Sequence, residues 1–185
     1  MKYLLSLLLI AFSPYVFSQS SNAVINSSYL KRSVEIIIKK AKNSEGDLPI
    51  VYVTDGKKFI DNGLFAAIEK LQSIGKVPAA HYVFVSTVSP DDQVDYRNEY
   101  FFCNPDYLTF FQRELIPQVE AEIGSSFSPT QRSLIGISFG GLNAAYFAAQ
   151  DAPFQNYALL SPVTYPCKEL NQKIIFGPQR GLRIF

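Results

Sequence analysis

Hydrophobic and polar positions along the chain follow two periods in turn. Val34, Ile36 and Ile38 recur at every second position between Glu35 and Lys39, which predicts a strand near a sheet edge. After a turn at Gly46-Asp47, residues 48–54 (Leu-Pro-Ile-Val-Tyr-Val-Thr) form a short continuous apolar run, the pattern of a strand covered on both faces, and Asp55-Gly56 ends it. Leu64, Ala67, Ile68 and Leu71 fall at helical spacing over residues 63–74, with Gly75 and Pro78 as the stop. A second buried strand is predicted over residues 82–88, and residues 89–104 read as an irregular loop rich in Asp, Asn and aromatics. Asn104 followed by Pro105 caps a helix running through Leu108, Phe111, Leu115 and Val119 to Ile123, with a kink expected at Pro117. Residues 132–137 predict a third strand, residues 141–150 an Ala-rich helix, residues 157–160 a fourth strand and residues 181–185 the start of a fifth. Strands alternating with helices in units of this length specify one α/β domain, a mostly parallel sheet with helices on both faces.

The first residues carry a different signal. Lys2 is followed by an apolar run over residues 3–12, broken only by Ser6, and then by Ser13, Pro14, Val16 and Ser18. This layout is that of a secretory signal peptide over residues 1–18, and it predicts cleavage after Ser18 and a domain over residues 19–185, exported to a periplasm or the medium. A bilayer span needs about 20 consecutive apolar residues, so no stable membrane insertion is expected once the leader is removed. With 17 Lys plus Arg against 16 Asp plus Glu in 185 residues, the net charge of +1 offers no footprint for a polyphosphate, and nucleic acid is not an expected partner. One His and two Cys at this spacing fit no zinc-ligand pattern, so no metal is expected. Export places Cys103 and Cys167 where a disulfide persists, and the sequence leaves open whether they pair or stay as two buried thiols.

The candidate chemistry lies in Gly136-Ile137-Ser138-Phe139-Gly140-Gly141, a Gly-x-Ser-x-Gly pattern. Strand-like Leu134-Ile135 precedes it and helix-like residues 142–146 follow, the strand, sharp turn and helix of a nucleophile elbow. Side chains at Gly136 or Gly140 would collide as such a turn closes. Ser138 Oγ then stands at the carboxyl edge of the sheet beside a helix N-terminus, with the Phe139 N–H placed for a developing oxyanion. The second donor is expected from the loop at Asp55-Gly56-Lys57, through the N–H of Gly56 or Lys57, and Gly56 is expected to let substrate approach the backbone.

These residues resemble the putative-esterase family of α/β-hydrolases, which includes enterochelin esterases, esterase D and feruloyl esterases. The matching segments are residues 48–56, Arg97-Asn98-Glu99-Tyr100, residues 111–119, the elbow at residues 136–141, and Leu159-Leu160-Ser161-Pro162. Together they cover roughly residues 30–165. The resemblance implies a serine hydrolase that cuts a small-molecule carboxylic ester without metal or cofactor, with Ser138 as nucleophile and the Asp55-Gly56 loop on the oxyanion side.

The sequence departs from the family pattern after the elbow. Members supply Ser, then Asp or Glu, then His, yet no His follows Ser138. The sole imidazole, His81, opens a strand whose seven residues at about 3.3 Å each carry it some 20 Å from the carboxyl edge, so it reads as a surface or strand-end residue. Asp151 ends the helix leaving the elbow, on the wrong edge, and Glu169 reads as a solvated loop charge. The expectation is therefore the N-terminal part of a longer hydrolase, lacking its C-terminal strand or strands, and inactive in this span. A non-catalytic ligand-binding module and an acyltransferase of the same fold are the alternatives. Arg97 is expected to bind a polar part of substrate or to pair with Glu99, and Tyr100, with Tyr96, Phe101, Phe102 and Tyr107, to line an aromatic pocket or to pack in the core.

Overall fold

The computed structural model describes residues 20–41, 48–167 and 181–185. The predicted leader, the turn at Gly46-Asp47 and Glu169 lie outside the described residues. Strand β1 spans Ser20–Ser27, β2 Arg32–Lys39 and β3 Ile50–Val53, followed by helices α1, Gly56–Asp61, and α2, Leu64–Ser73. Strand β4 covers His81–Val85, and the segment after it carries α3, Arg97–Phe101, and α4, Pro105–Phe110. Helix α5 spans Ile116–Ile123, strand β5 Arg132–Ile137, helix α6 Phe139–Ala149, strand β6 Asn156–Leu160 and strand β7 Arg183–Ile184.

The strands form one sheet in the order β1-β2-β4-β3-β5-β6-β7. The five from β4 to β7 run parallel, whereas β1 and β2 are antiparallel to their neighbours. Alternation along the central strands divides the core. Ile50 and Tyr52 of β3 and Val83 and Val85 of β4 pack toward α3–α6, while Val53 of β3 and Tyr82 and Phe84 of β4 pack against Ile68 and the helices α1 and α2. Helices therefore cover both faces. The larger face holds a cluster of rings in which Phe111 meets Phe147 edge-on at 5.0 Å between centroids and Tyr52 meets Phe154 at 5.4 Å.

Two local expectations resolve into geometry. Asn104 Oδ1 accepts from the N–H groups of Asp106, at 2.8 Å, and Tyr107, at 3.2 Å, and so caps α4. Pro117 has no N–H and its ring crowds the carbonyl four residues back. The chain relieves that conflict with a π turn over Phe111–Leu115, in which Ile116 N–H donates to Phe111 O, and α5 resumes beyond it.

Strand β1 has no counterpart in the sequence reading. Its outward positions, Ser20, Asn22, Val24 and Asn26, are exposed, and only Ala23 and Ile25 bring apolar side chains inward, so the alternation is too faint to stand out.

His81 differs from the expectation of a surface residue, although it does open β4. It is buried, its ring meets Phe127 edge-on at 5.7 Å, and Nδ1 accepts from Ala41 N–H at 3.4 Å. Burial first, and the nearby Lys40 charge second, hold its pKa below the ordinary imidazole value of 6.5. A depressed histidine pKa means that the unfolded chain takes up the proton before the folded one. Stability is then fully present above about pH 6.5 and falls as the pH drops toward the folded-state value. We expect the melting temperature to decline from pH 7 to pH 5, and to decline less in His81→Gln. Parallel slopes for the two proteins would remove His81 as the cause.

Candidate active site

Strand β5 ends at Ile137 and α6 begins at Phe139, so Ser138 alone makes the turn between them. Its backbone sits at φ 58° and ψ −117°, a conformation that a non-glycine residue holds only under strain of order 1–3 kcal/mol. Three hydrogen bonds over-determine it. Ser138 N–H donates to Leu160 O at 2.9 Å, and Ser138 O accepts from Leu142 N–H at 3.1 Å and from Val163 N–H at 3.3 Å. The two glycines of the motif are sterically required. A Cβ on Gly136 would lie 1.9 Å from Gly140 O, and one on Gly140 would lie 2.7 Å from Thr54 Oγ1. The serine is half-buried at the carboxyl tip of the sheet, and the N–H groups of Phe139, Gly140 and Gly141 precede the first intrahelical bond of α6. The corner thus sets a half-buried serine at the positive end of an 11-residue helix.

The loop after β3 stands beside this corner because Val53 is in register with Ile135, two residues before Ile137. Thr54 N–H donates to Ile135 O at 3.1 Å, and Asp55 takes a left-handed conformation with φ 57° that turns the chain into α1. Gly56 and Lys57, the expected second source of oxyanion donors, are the first two residues of α1. The reason for glycine at 56 differs from the expected one. A Cβ there would lie 2.4 Å from Val85 N and 2.5 Å from Phe84 C, so glycine lets the loop pack on β4 rather than opening it to substrate.

Arg97 is brought to the same place, but not beside Glu99. Its Nε donates to Asp55 Oδ1 at 2.6 Å and Nη2 to Ile137 O at 3.4 Å, while Glu99 pairs with Arg32 at 2.9 Å. The Asp55 side chain is only 2% exposed and that of Arg97 16%. Arg97 therefore ties the loop after β3 to the end of β5. The pairing of Asp55 with Arg97 is not legible in the sequence, where Asp55 enters only as part of the turn and the oxyanion-side loop it shares with Gly56.

The aromatic residues of the 96–107 segment divide. Tyr100 is 1% exposed and stacks on Tyr107 at 4.6 Å, with Phe101 equally enclosed, so these rings belong to the core and Tyr100 does not line a substrate surface. Burial raises the Tyr100 pKa to about 12, as expected for a phenol removed from water. Tyr96 is half-buried, its hydroxyl donating to Asp92 Oδ2 at 2.5 Å, and Phe102 is exposed and meets Phe139 edge-on at 4.9 Å. Cys103 and Cys167 are joined in a disulfide with Cα atoms 6.2 Å apart, which settles the choice between a bridge and two thiols.

His81 is far from Ser138. It is paired with Ile50, as is Arg132, which places it level with the first residue of β5, six positions before Ser138. Asp151 follows the C-terminal end of α6, away from the elbow. Among the described residues no three His, Cys, Asp or Glu side chains converge as metal ligands, and no helix is long and apolar enough to cross a membrane.

A family model described as "Putative esterase" matches residues 27–180. The iron(III) enterobactin esterase of Dickeya dadantii (strain 3937) is 30% identical over 99 residues, which are 53% of this chain and 22% of that protein. Among solved structures, the enterobactin esterase of Shigella flexneri, crystallised in the presence of enterobactin, superposes with a TM-score of 0.77 at 24% identity, over 90% of this chain and 45% of that one. The BES protein from Bacillus cereus superposes at 0.67 with 23% identity, over 86% of this chain and 70% of that one. The shared fold is that of α/β-hydrolase esterases. The chain spans less than half the length of both enterobactin esterases.

Proposed function

Because this chain belongs to the putative-esterase family, we propose that it carries the nucleophile half of an exported serine esterase, acting on small-molecule carboxylic esters through an acyl-enzyme on Ser138. The observation that carries this reading is the strained Ser138 corner at the sheet tip, fixed by three backbone hydrogen bonds next to the α6 N-terminus. Ser138 Oγ attacks the ester carbonyl carbon and its proton passes to a base. The oxyanion is held by the Phe139 N–H and by an N–H of Gly56 or Lys57, and the collapsing intermediate expels the alcohol. Water then attacks the acyl-enzyme and releases the acid. The relatives named for enterobactin esterase favour an ester of that size and kind as substrate.

The base is not His81, and it is the only histidine in the 185 residues. Taking subtilisin as the measure, loss of its base lowers turnover about a millionfold, with about 10³- to 10⁴-fold over water left to binding and the oxyanion site. The 185 residues alone are therefore expected to bind and to react slowly, and the second reading is a ligand-binding module of the same fold without turnover. Intact and peptide mass spectrometry after prolonged exposure to a fluorophosphonate tests the first. The expected result is one adduct, on Ser138, that forms faster when free imidazole is added and is absent in Ser138→Ala. An adduct elsewhere, or labelling unchanged by the substitution, ends the nucleophile assignment, and complete inertness with imidazole present supports the binding module.

A further inference from the structure

Three aromatic side chains gather beside the elbow, of which Phe139 packs against the core while Phe102 and Tyr165 are exposed. Phe139, the residue after Ser138, is flanked edge-on by Phe102, with centroids 4.9 Å apart at 82°, and by Tyr165, at 6.1 Å and 73°. Phe102 is 37% and Tyr165 69% exposed, so both rings show faces to solvent at the sheet tip. The Arg97 guanidinium carbon lies 5.2 Å from the Phe139 centroid, on the same group of rings. Phe102 comes from the end of α3 and Tyr165 from the loop after β6, two segments that share no secondary structure.

The disulfide joins those two segments. Cys103 follows Phe102 directly and Cys167 lies two residues past Tyr165, 64 positions further along the chain than Cys103. Cys103 has a positive φ of 56°, costly for a residue with a side chain. Both cysteines pack on Leu142 and Ala145 of α6. The loop that the bridge anchors is the one that holds the elbow: Val163 N–H donates to Ser138 O, and Pro162 backs Gly141, whose Cβ position lies 3.1 Å from Pro162 Cα.

We propose that Phe102, Phe139 and Tyr165 form a rim that recognises an aromatic ring of the ester, and that the Cys103–Cys167 disulfide is the clasp that keeps the rim assembled. The proposal rests on the esterase reading for the identity of the ligand as an ester, but the rim's preference needs no reactive Ser138. Exposed rings that already meet edge-on present π faces and edges suited to a further ring and poorly suited to a flexible alkyl chain. Reduction by a dithiol, which becomes the cyclic disulfide as the two protein thiols form, releases the loop of residues 161–167 from the Phe102 segment and separates the rings. In the exported protein proposed above, an oxidising compartment keeps the clasp closed.

Binding by the 185-residue chain is measured by titration calorimetry with two carboxylates of similar apolar size, 2-naphthoate and decanoate. Edge and stacking contacts of this kind correspond to about a two- to tenfold preference for the ring. We expect that preference in the oxidised protein, its loss in Phe102→Leu and Tyr165→Leu, which keep apolar bulk, and its loss in the double variant Cys103→Ser/Cys167→Ser or after dithiol reduction, with circular dichroism confirming that each protein remains folded. Equal binding of the two ligands by the oxidised protein overturns the rim. A preference that survives removal of the disulfide overturns the clasp. Intact naphthoate preference with no fluorophosphonate adduct on Ser138 strikes the nucleophile assignment instead, and the reverse pattern strikes the rim.

Discussion

Gly136→Ala is expected to lower stability by about 3 kcal/mol or more, because the added methyl meets backbone rather than a side chain that can turn aside. The Cβ position lies 1.9 Å from Gly140 O, 2.2 Å from Gly140 C and 2.8 Å from Gly141 N, so the first turn of α6 must move away from β5 to admit it. That turn is held by Leu142 N–H on Ser138 O and by Ser138 N–H on Leu160 O, and moving it strains both. For a domain of this size each kcal/mol is about 2–4 °C in melting temperature, giving a drop of about 6–12 °C. Gly63→Ala is the control. Gly63 has φ 83° with nothing within 4 Å of its Cβ position, so only backbone strain of about 1–2 kcal/mol applies. Thermal unfolding by circular dichroism orders the two. A Gly136→Ala protein that melts as high as Gly63→Ala contradicts the tight corner.

That contrast shows what a single sequence can carry. The elbow was legible because two glycines bracketing a serine between an apolar strand and an Ala-rich helix leave the backbone little else to do. Strands β3 and β4 were legible for a related reason, since short unbroken apolar runs fit burial on both faces of a central sheet. Strand β1 was not, because an edge strand half-covered by the core needs only Ala23 and Ile25 to be apolar. Helix α1 was lost as well: its six residues begin Gly-Lys-Lys, which reads as a loop, and its place is set by packing on β4. The sequence leaves Tyr100 between pocket and core because a five-residue helix gives no period from which to tell its inner from its outer face. The partner of Arg97 was beyond reach for a different reason. Glu99 is close in sequence, but the charge that meets Arg97 is 42 residues away, at the end of β3, which pairs in parallel with the β4 strand that leads to Arg97.

The second large effect follows from that pair. Arg97→Ala is expected to cost about 3–5 kcal/mol, because it leaves the Asp55 carboxylate enclosed without its counter-charge. The predicted fall in melting temperature is about 10 °C. The loss belongs to the stranded charge rather than to the pair as such, so the double variant Arg97→Met/Asp55→Asn is expected to recover most of the stability. Replacing a buried ion pair by groups of similar volume is often close to neutral. Phosphonylation of Ser138 separates a stabilising pair from one that also positions the site. Arg97 bridges Asp55, which leads into the Gly56 and Lys57 N–H groups, and Ile137 O, next to Ser138, whereas Met and Asn cannot make both contacts. A double variant with restored melting and slowed phosphonylation identifies Arg97 as a positioning residue. Losing one oxyanion donor typically costs about a hundred- to a thousandfold, so under the proposed oxyanion role of this loop its displacement is expected to slow the reaction up to that limit. If melting and rate recover together, the pair supports the fold alone, and the alignment of the loop after β3 with the elbow is set by the β3–β5 register and by Gly56 packed on β4.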